Sequence, residues 1–237
     1  MSIELRDLSG DEDIVACIAL QKEIWGMDDA CAMSPITLKA LTMSSPKMGL
    51  LSGAFAGEKM VAVLLALPSF VPGVAYGHML GVLEAYRDGN LGHRMTLRLF
   101  EQLRALGYHR VVWTFEPLES RNAHLYINKM GGRVTKYCND YFMAEDEMNR
   151  GLPLDRFLYE VDLADTADTP TGVLRLNEAL AAYPVATPDR MPDCDAVLVE
   201  IPASLQELKA ADYDRALSFR MDTRIVFNEY INRREFI

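Results

Sequence analysis

Apolar residues recur at two periods along this chain, and the switches between them lay out an order of elements. Ile3 to Leu5 predicts a short strand, and in DEDIVACIALQKEIWG the residues Ile14, Cys17, Leu20 and Ile24 share one helical face behind a run of acids. Ser34 as N-cap and Pro35 at the first helical position predict a second helix. The apolar runs GLLSGAFAGE and KMVAVLLALPSF, hinged at Ala56-Gly57-Glu58, predict a buried β-hairpin, and VPGVAYGHMLGVLEAY adds a strand after the Pro72-Gly73 turn. Leu91, Met95, Leu99 and Leu103 then recur every fourth residue with Arg94, Arg98, Glu101 and Arg104 between them, which predicts an amphipathic helix closed by Gly107. HRVVWTF reads as a strand, SRNAHLYINKM as a helix capped by Ser120 and ended by Gly131-Gly132, and RVTKYCNDYF as a strand.

From Gly151 the pattern changes. GLPLDRFLYEVDL ends in a strand-like run, and the Ala-, Asp-, Thr- and Pro-rich text that follows reads as a linker with one candidate strand, VLRL. AVLVEIP predicts a further strand before a terminal helix in which Tyr213, Leu217, Met221 and Ile225 share a face, continuing through Phe227 to Tyr230 and Ile231. The expected organisation is an α+β domain over residues 1–163, a linker over 164–195, and a C-terminal strand-helix extension over 196–237.

Composition narrows the function. A chain of 237 residues, half of them hydrophobic, is long enough for one substantial core or for a domain with an appendage. The formal charge of -10 argues against broad contact with nucleic acid or anionic lipid, both of which require a positive surface. Cys17, Cys31, Cys138 and Cys194 show no CxxC pairing and the four histidines no ligand spacing, so no metal is expected. The acidic N-terminus lacks a signal-peptide pattern and no stretch approaches the ~20 apolar residues of a membrane span, so a soluble cytoplasmic protein is expected.

The chemistry points to one loop, YRDGNLGHRM, which joins a strand to the helix beginning near Leu91. Such a loop gathers free backbone N–H groups at a helix N-terminus, where a phosphate binds readily. A Walker loop requires Lys and Ser or Thr where His93 and Arg94 stand, and RDGNLG lacks the GxGxxG of a dinucleotide site. What remains is Arg-x-x-(Gly or Asn)-x-Gly running from strand into helix.

In that arrangement the chain resembles the GNAT superfamily of N-acyltransferases: Val82 at the strand end, Arg87 five residues later, and Asn90 and Gly92 in the two glycine positions. VVWTFEPLESRNAHLYINKMGG matches the family's next strand, the Asn and Ala of the following helix, and its closing Gly, and the order of elements agrees over residues 3–163. TFEPLESRNA, GLPLDRF and VLVEIP suggest a GNAT subgroup with a C-terminal extension. The resemblance implies a mostly antiparallel twisted sheet flanked by helices. It implies acetyl-CoA or another acyl-CoA as co-substrate, with pyrophosphate on Arg87, Asp88, Gly89, Asn90, Leu91 and Gly92, the acyl carbonyl at the backbone of Leu80, Gly81 and Val82, and pantetheine at Asn122. Asn90 departs from the family glycine, although asparagine tolerates a left-handed backbone. Gly81 would suit a bulge.

Deprotonation of an attacking amine requires a base, for which His78 and Glu116 are candidates, with Glu84 a weaker third. The family's tyrosine acid falls four residues before the closing Gly. Here that position is Ile127, and Tyr126, its neighbour, lies about 100° away around a helix, so it could serve only after a one-residue shift in register. Arg220 and Arg224, four apart, could hold a carboxylate of the acceptor or of a dicarboxylic acyl group such as succinyl, or else pair with Asp222, Glu229 or solvent. The expected acceptor is a primary amine of a small molecule such as an amino acid. A homodimer is compatible with the sequence. The rival readings are a catalytically silent acyl-CoA-binding sensor or scaffold and an acidic structural subunit.

Overall fold

The computed structural model describes residues 2–142, 151–164 and 175–236. The chain divides into two compact units, one of residues 2–113 with 162–164, the other of residues 114–142, 151–161 and 175–236.

The first unit opens with strand β1 (Ile3–Asp7) and helix α1 (Asp11–Trp25). Asp13 fixes the entry to α1: its carboxylate takes two hydrogen bonds from Arg6, each 2.7 Å, and one from the Ser9 N–H. Gly26, in a left-handed conformation at φ 65°, ends the helix, and Ile14, Cys17, Leu20 and Ile24 are buried as the spacing predicts. Helix α2 (Pro35–Thr42) begins at Ser34, whose hydroxyl accepts the Thr37 N–H.

Strands β2 (Leu50–Ala56) and β3 (Lys59–Pro68) form the expected hairpin, and β4 (Val74–Val82) runs antiparallel to β3. Met60 through Ala66 are all buried, so β3 is covered on both faces; α1 and helix α3 (Leu91–Ala105) both pack against it. The α3 stripe of Leu91, Met95, Leu99 and Leu103 is buried throughout, each full burial contributing roughly 2 kcal/mol. Strand β5 (Arg110–Phe115) follows and pairs in parallel with β4. In this unit the strand order is β1-β2-β3-β4-β5.

The second unit takes up the chain at the end of β5. It contains the short helix α4 (Ser120–Ala123), a π-helical turn His124–Lys129, and the antiparallel pair of strands β6 (Arg133–Cys138) and β7 (Arg156–Asp162). Phe115, Tyr126, Tyr137, Phe157, Tyr159 and Phe227 form its aromatic core through edge-on and tilted contacts. Helices α5 (Leu176–Ala182), α6 (Leu205–Ala211) and α7 (Tyr213–Phe227) complete it, α7 running into a second π-turn, Asn228–Arg233. With seven strands whose resolved ladders are antiparallel apart from β4/β5, the fold is α+β as the sequence implies.

Four local expectations change. AVLVEIP forms an isolated bridge, Val185 to Leu198, instead of a strand. Of VLRL, Val173 and Leu174 lie outside the described residues, while Arg175 and Leu176 cap and open α5. On α7 the apolar face of Tyr213, Met221 and Ile225 is exposed, and the buried stripe is Ala216, Arg220, Thr223 and Val226. Ser120 does not cap α4; its hydroxyl donates to the Ala203 carbonyl.

Candidate active site

The quoted loop lies in the first unit and begins where a ladder ends. The β4/β5 pairing runs from Val74 opposite Arg110 to Tyr76 opposite Val112 and goes no further, whereas the β3 side of β4 stays paired to Val82. From Gly77 to Val82, therefore, β4 presents one edge of main-chain N–H and C=O groups that no strand of the described residues pairs. Open edges of this kind accept an extended ligand as an added strand.

That edge leads into a 3-10 turn, Glu84–Gly89, and then into α3. Leu83 N–H donates to the Val61 carbonyl and Tyr86 N–H to the Leu83 carbonyl, so the turn is pinned to the sheet. Arg87 folds back, its Nε 3.1 Å from the Val82 carbonyl. Asn90 takes φ 57° and ψ 20°, the left-handed conformation that the family glycine supplies, and its carbonyl accepts the first helical bond from Arg94 N–H at 3.1 Å. Asn90 makes no side-chain cap to α3; its Nδ2 lies 3.2 Å from Nδ1 of His93. The N-terminus of a four-turn helix thus stands at the end of the open edge with its dipole directed to it. Among the described residues, no cluster of His, Cys, Asp and Glu could hold a metal ion.

At Gly81 the end of α1 packs against β4: a Cβ there would lie 2.6 Å from the Trp25 ring and 2.9 Å from Ile24, so any other residue would force those side chains to shift. The bulge expected at Gly81 occurs instead at His78: Leu65 pairs with Met79 and Ala66 with Gly77, leaving His78 as the extra residue. Regular alternation is broken there, so counting in twos from Val82 does not fix where His78 points. Desolvation lowers its pKa, which leaves the imidazole neutral at pH 7.

The remaining candidates lie in the second unit. Tyr126 sits in the π-turn, where Met130 N–H donates to the Leu125 carbonyl, five residues back. A π-turn accommodates one extra residue, so a tyrosine five before Gly131 takes the angular position that the fourth would have in an α-helix. The register shift that Tyr126 needs is therefore present. Its ring is buried against Phe115 and Tyr159, and burial pushes its pKa up to about 12. Asn122 lies on α4, its N–H donating to the Glu119 carbonyl at 2.9 Å.

Glu116, Arg220 and Arg224 have other work. The buried Glu116 carboxylate accepts from Arg156 Nη1 at 3.0 Å, from Arg220 Nη2, and from Leu118 N–H at 3.0 Å, so its oxygens are engaged by the protein's own donors. Arg220, expected at the surface to hold an acceptor carboxylate, is 1% exposed and holds Glu116. Burial works against its charge, and Glu116 outweighs burial to raise its pKa. Arg224 binds the buried Asp155 and also Asp140, and Tyr137 donates its hydroxyl to Asp155. Burial opposes ionisation of Asp155, but Arg224 and Tyr137 hold its carboxyl below the usual range. The carboxylates these arginines hold are the protein's own. The sequence carried no sign of this, because the partners lie 69 to 104 residues apart.

Comparison with known proteins agrees with this geometry. A model of the Acetyltransferase (GNAT) family matches residues 11–131. Among solved structures, the ribosomal-protein-S18-alanine N-acetyltransferase from Escherichia coli aligns at TM-score 0.54 and 13% identity, over 73% of this chain and 100% of that one. An N-acetyltransferase from Staphylococcus aureus Mu50 aligns at 0.56 and 15% identity, over 69% and 99%. A GNAT-family acetyltransferase from Streptococcus pneumoniae aligns at 0.56 and 15% identity, over 68% and 99%. At these identities the likeness is one of fold. A search of the curated proteins gives no match. The family model covers more than half of the sequence, including the open β4 edge, the Arg87–Gly92 turn and the π-turn, and the chain belongs to the GNAT acetyltransferase family.

Proposed function

We propose that this protein transfers an acetyl or other short acyl group, succinyl included, from acyl-CoA directly to a primary amine of a small molecule such as an amino acid. Membership of the family makes the chain an acyl-CoA-dependent N-acetyltransferase; the acceptor and the acyl chain are the proposal. The observation that carries it is the unpaired β4 edge followed, through the Glu84–Gly89 turn, by the N-terminus of α3.

In this reading the main chain of Leu80, Gly81 and Val82 aligns the thioester and polarises its carbonyl, while the amides of Arg87 to Gly92 take the pyrophosphate without a metal. Asn122 contacts the pantetheine arm. The amine nitrogen attacks the carbonyl carbon, the C–S bond breaks, and the amide and free CoA leave. His78, neutral at pH 7, takes the amine proton directly or through water, and Tyr126, kept protonated by burial, gives a proton to the thiolate. The E. coli fold neighbour is named for an alanine of ribosomal protein S18, so a peptide N-terminus belongs in any acceptor panel.

Two observations support the enzyme over the sensor: Asn90 takes a left-handed conformation at the start of α3, and Tyr126 lies in a π-turn, which accommodates one extra residue. The test is mass-detected turnover of acetyl-CoA and succinyl-CoA with amino acids, polyamines and a short peptide, for wild type, Arg87→Glu and Gly92→Trp. An acylated small amine formed by wild type and lost in both variants is the expected result. Acylation of the peptide alone would overturn the acceptor class, and CoA binding without any product would favour the sensor.

A further inference from the structure

Asn90 poses a problem that its own conformation does not solve. It ends the 3-10 turn and begins α3 in a left-handed conformation, where its side chain stands beside the first turn of the helix. Asparagine at a helix start ordinarily turns its side-chain oxygen onto the N–H two or three residues on, consuming a donor. Asn90 does not. Its amide is directed instead to the imidazole of His93, with Nδ2 to Nδ1 at 3.2 Å. The Nδ2 group can only donate, so Nδ1 is the acceptor in this contact. The spacing of three residues puts the two side chains on one face of the first turn, where such pairs meet.

We infer that His93 is a positioning residue for the loop: by holding the Asn90 side chain, it keeps a non-glycine residue in the left-handed turn at the start of α3, where the CoA pyrophosphate is proposed to bind. The inference rests on reading this loop as the acyl-CoA cradle. It accounts for how a chain with Asn in place of the family glycine retains the turn. The substitution at 90 is matched by an acceptor at 93, one turn along.

The test is a double-mutant cycle read by calorimetric titration with CoA. His93→Ala is expected to weaken CoA binding by roughly five- to tenfold. His93→Gln, whose side-chain oxygen can accept from the Asn90 amide, is expected to stay within about twofold of wild type. In an Asn90→Gly background, which has no side chain to restrain, the effect of His93→Ala is expected to vanish. An equal loss in that background would mean that His93 acts on the ligand directly, and an unchanged His93→Ala, or a His93→Gln as weak as His93→Ala, would overturn the inference as well. Failure of wild type to bind CoA would overturn the cradle reading itself, whereas wild-type binding insensitive to residue 93 would overturn this inference alone.

Discussion

Arg87 turns back on the strand it follows and donates its Nε–H to the carbonyl of Val82, 3.1 Å away. One nitrogen of the guanidinium thus ties the turn to the end of β4, and the two Nη groups remain to face an anion. Replacing Arg87 by Glu removes the tie and sets a negative charge beside the proposed pyrophosphate site. Calorimetric titration should show CoA affinity lowered by about tenfold or more, with little change in melting temperature because the side chain is exposed.

His78 should set the acid limb of the pH profile. Its folded pKa lies below the ordinary 6.5 because of desolvation, so the basic form is lost only as pH falls through that lowered value. We expect kcat/KM to rise with pH on a limb whose midpoint lies below 6.5, and His78→Gln to abolish that limb. A limb centred above pH 7 would exclude His78 as the base.

Tyr126→Phe separates chemistry from binding. Since burial keeps the phenol protonated to about pH 12, it is available as an acid throughout the working range. Stopped-flow and steady-state assays should find kcat reduced by about 100-fold and CoA affinity unaltered. An unchanged kcat would show that the thiolate leaves without help.

Glu116 and Arg220 predict a stability effect, not a kinetic one. Glu116→Leu removes the carboxylate that both Arg156 and the buried Arg220 hold and should destabilise by about 3–5 kcal/mol in denaturant titrations. Adding Arg220→Met should recover part of that loss, because a buried apolar pair can replace a buried ionic one.

Asp155 gives the acid sensitivity a sign. Its carboxyl titrates below the usual range in the folded state, so the stabilisation it provides is complete above the unfolded pKa near 4 and is lost as pH falls through the lower folded value. Thermal unfolding between pH 7 and 3 should show Asp155→Asn less stable at neutral pH by about 3 kcal/mol, with a shallower decline on acidification than wild type.

Much of this was legible in the sequence wherever a local pattern decided the outcome. Ser34-Pro35 starts α2 through its own hydroxyl and fixed φ, and Leu91, Met95, Leu99 and Leu103 line the buried face of α3. The turn Arg87–Gly92 could be found because its residues are consecutive. What hydrophobic spacing could not show was any face buried by charge. On α7 it selects Tyr213, Met221 and Ile225, yet the helix buries Arg220 and Thr223, because Glu116 makes burial of a guanidinium favourable from 104 residues away. The bulge likewise depends on the opposing strand: whether β4 spends its extra residue at His78 or Gly81 is decided by its register with Leu65 and Ala66.

The early stop of the β4/β5 ladder at Tyr76 and Val112 also bears on how such a site can diverge. A contact made through peptide groups requires a backbone path and leaves the side-chain alphabet largely free. Along Gly77 to Val82 the constraint falls on the few positions that shape the path, such as Gly81 beneath Trp25 and the extra residue at His78. Leu80 and Val82 could be rewritten with other strand-forming residues while the line of amides stayed in place. Grammar is preserved there while vocabulary drifts, and a new acceptor can be acquired by changing surrounding side chains without rebuilding the groups proposed to hold the acyl donor.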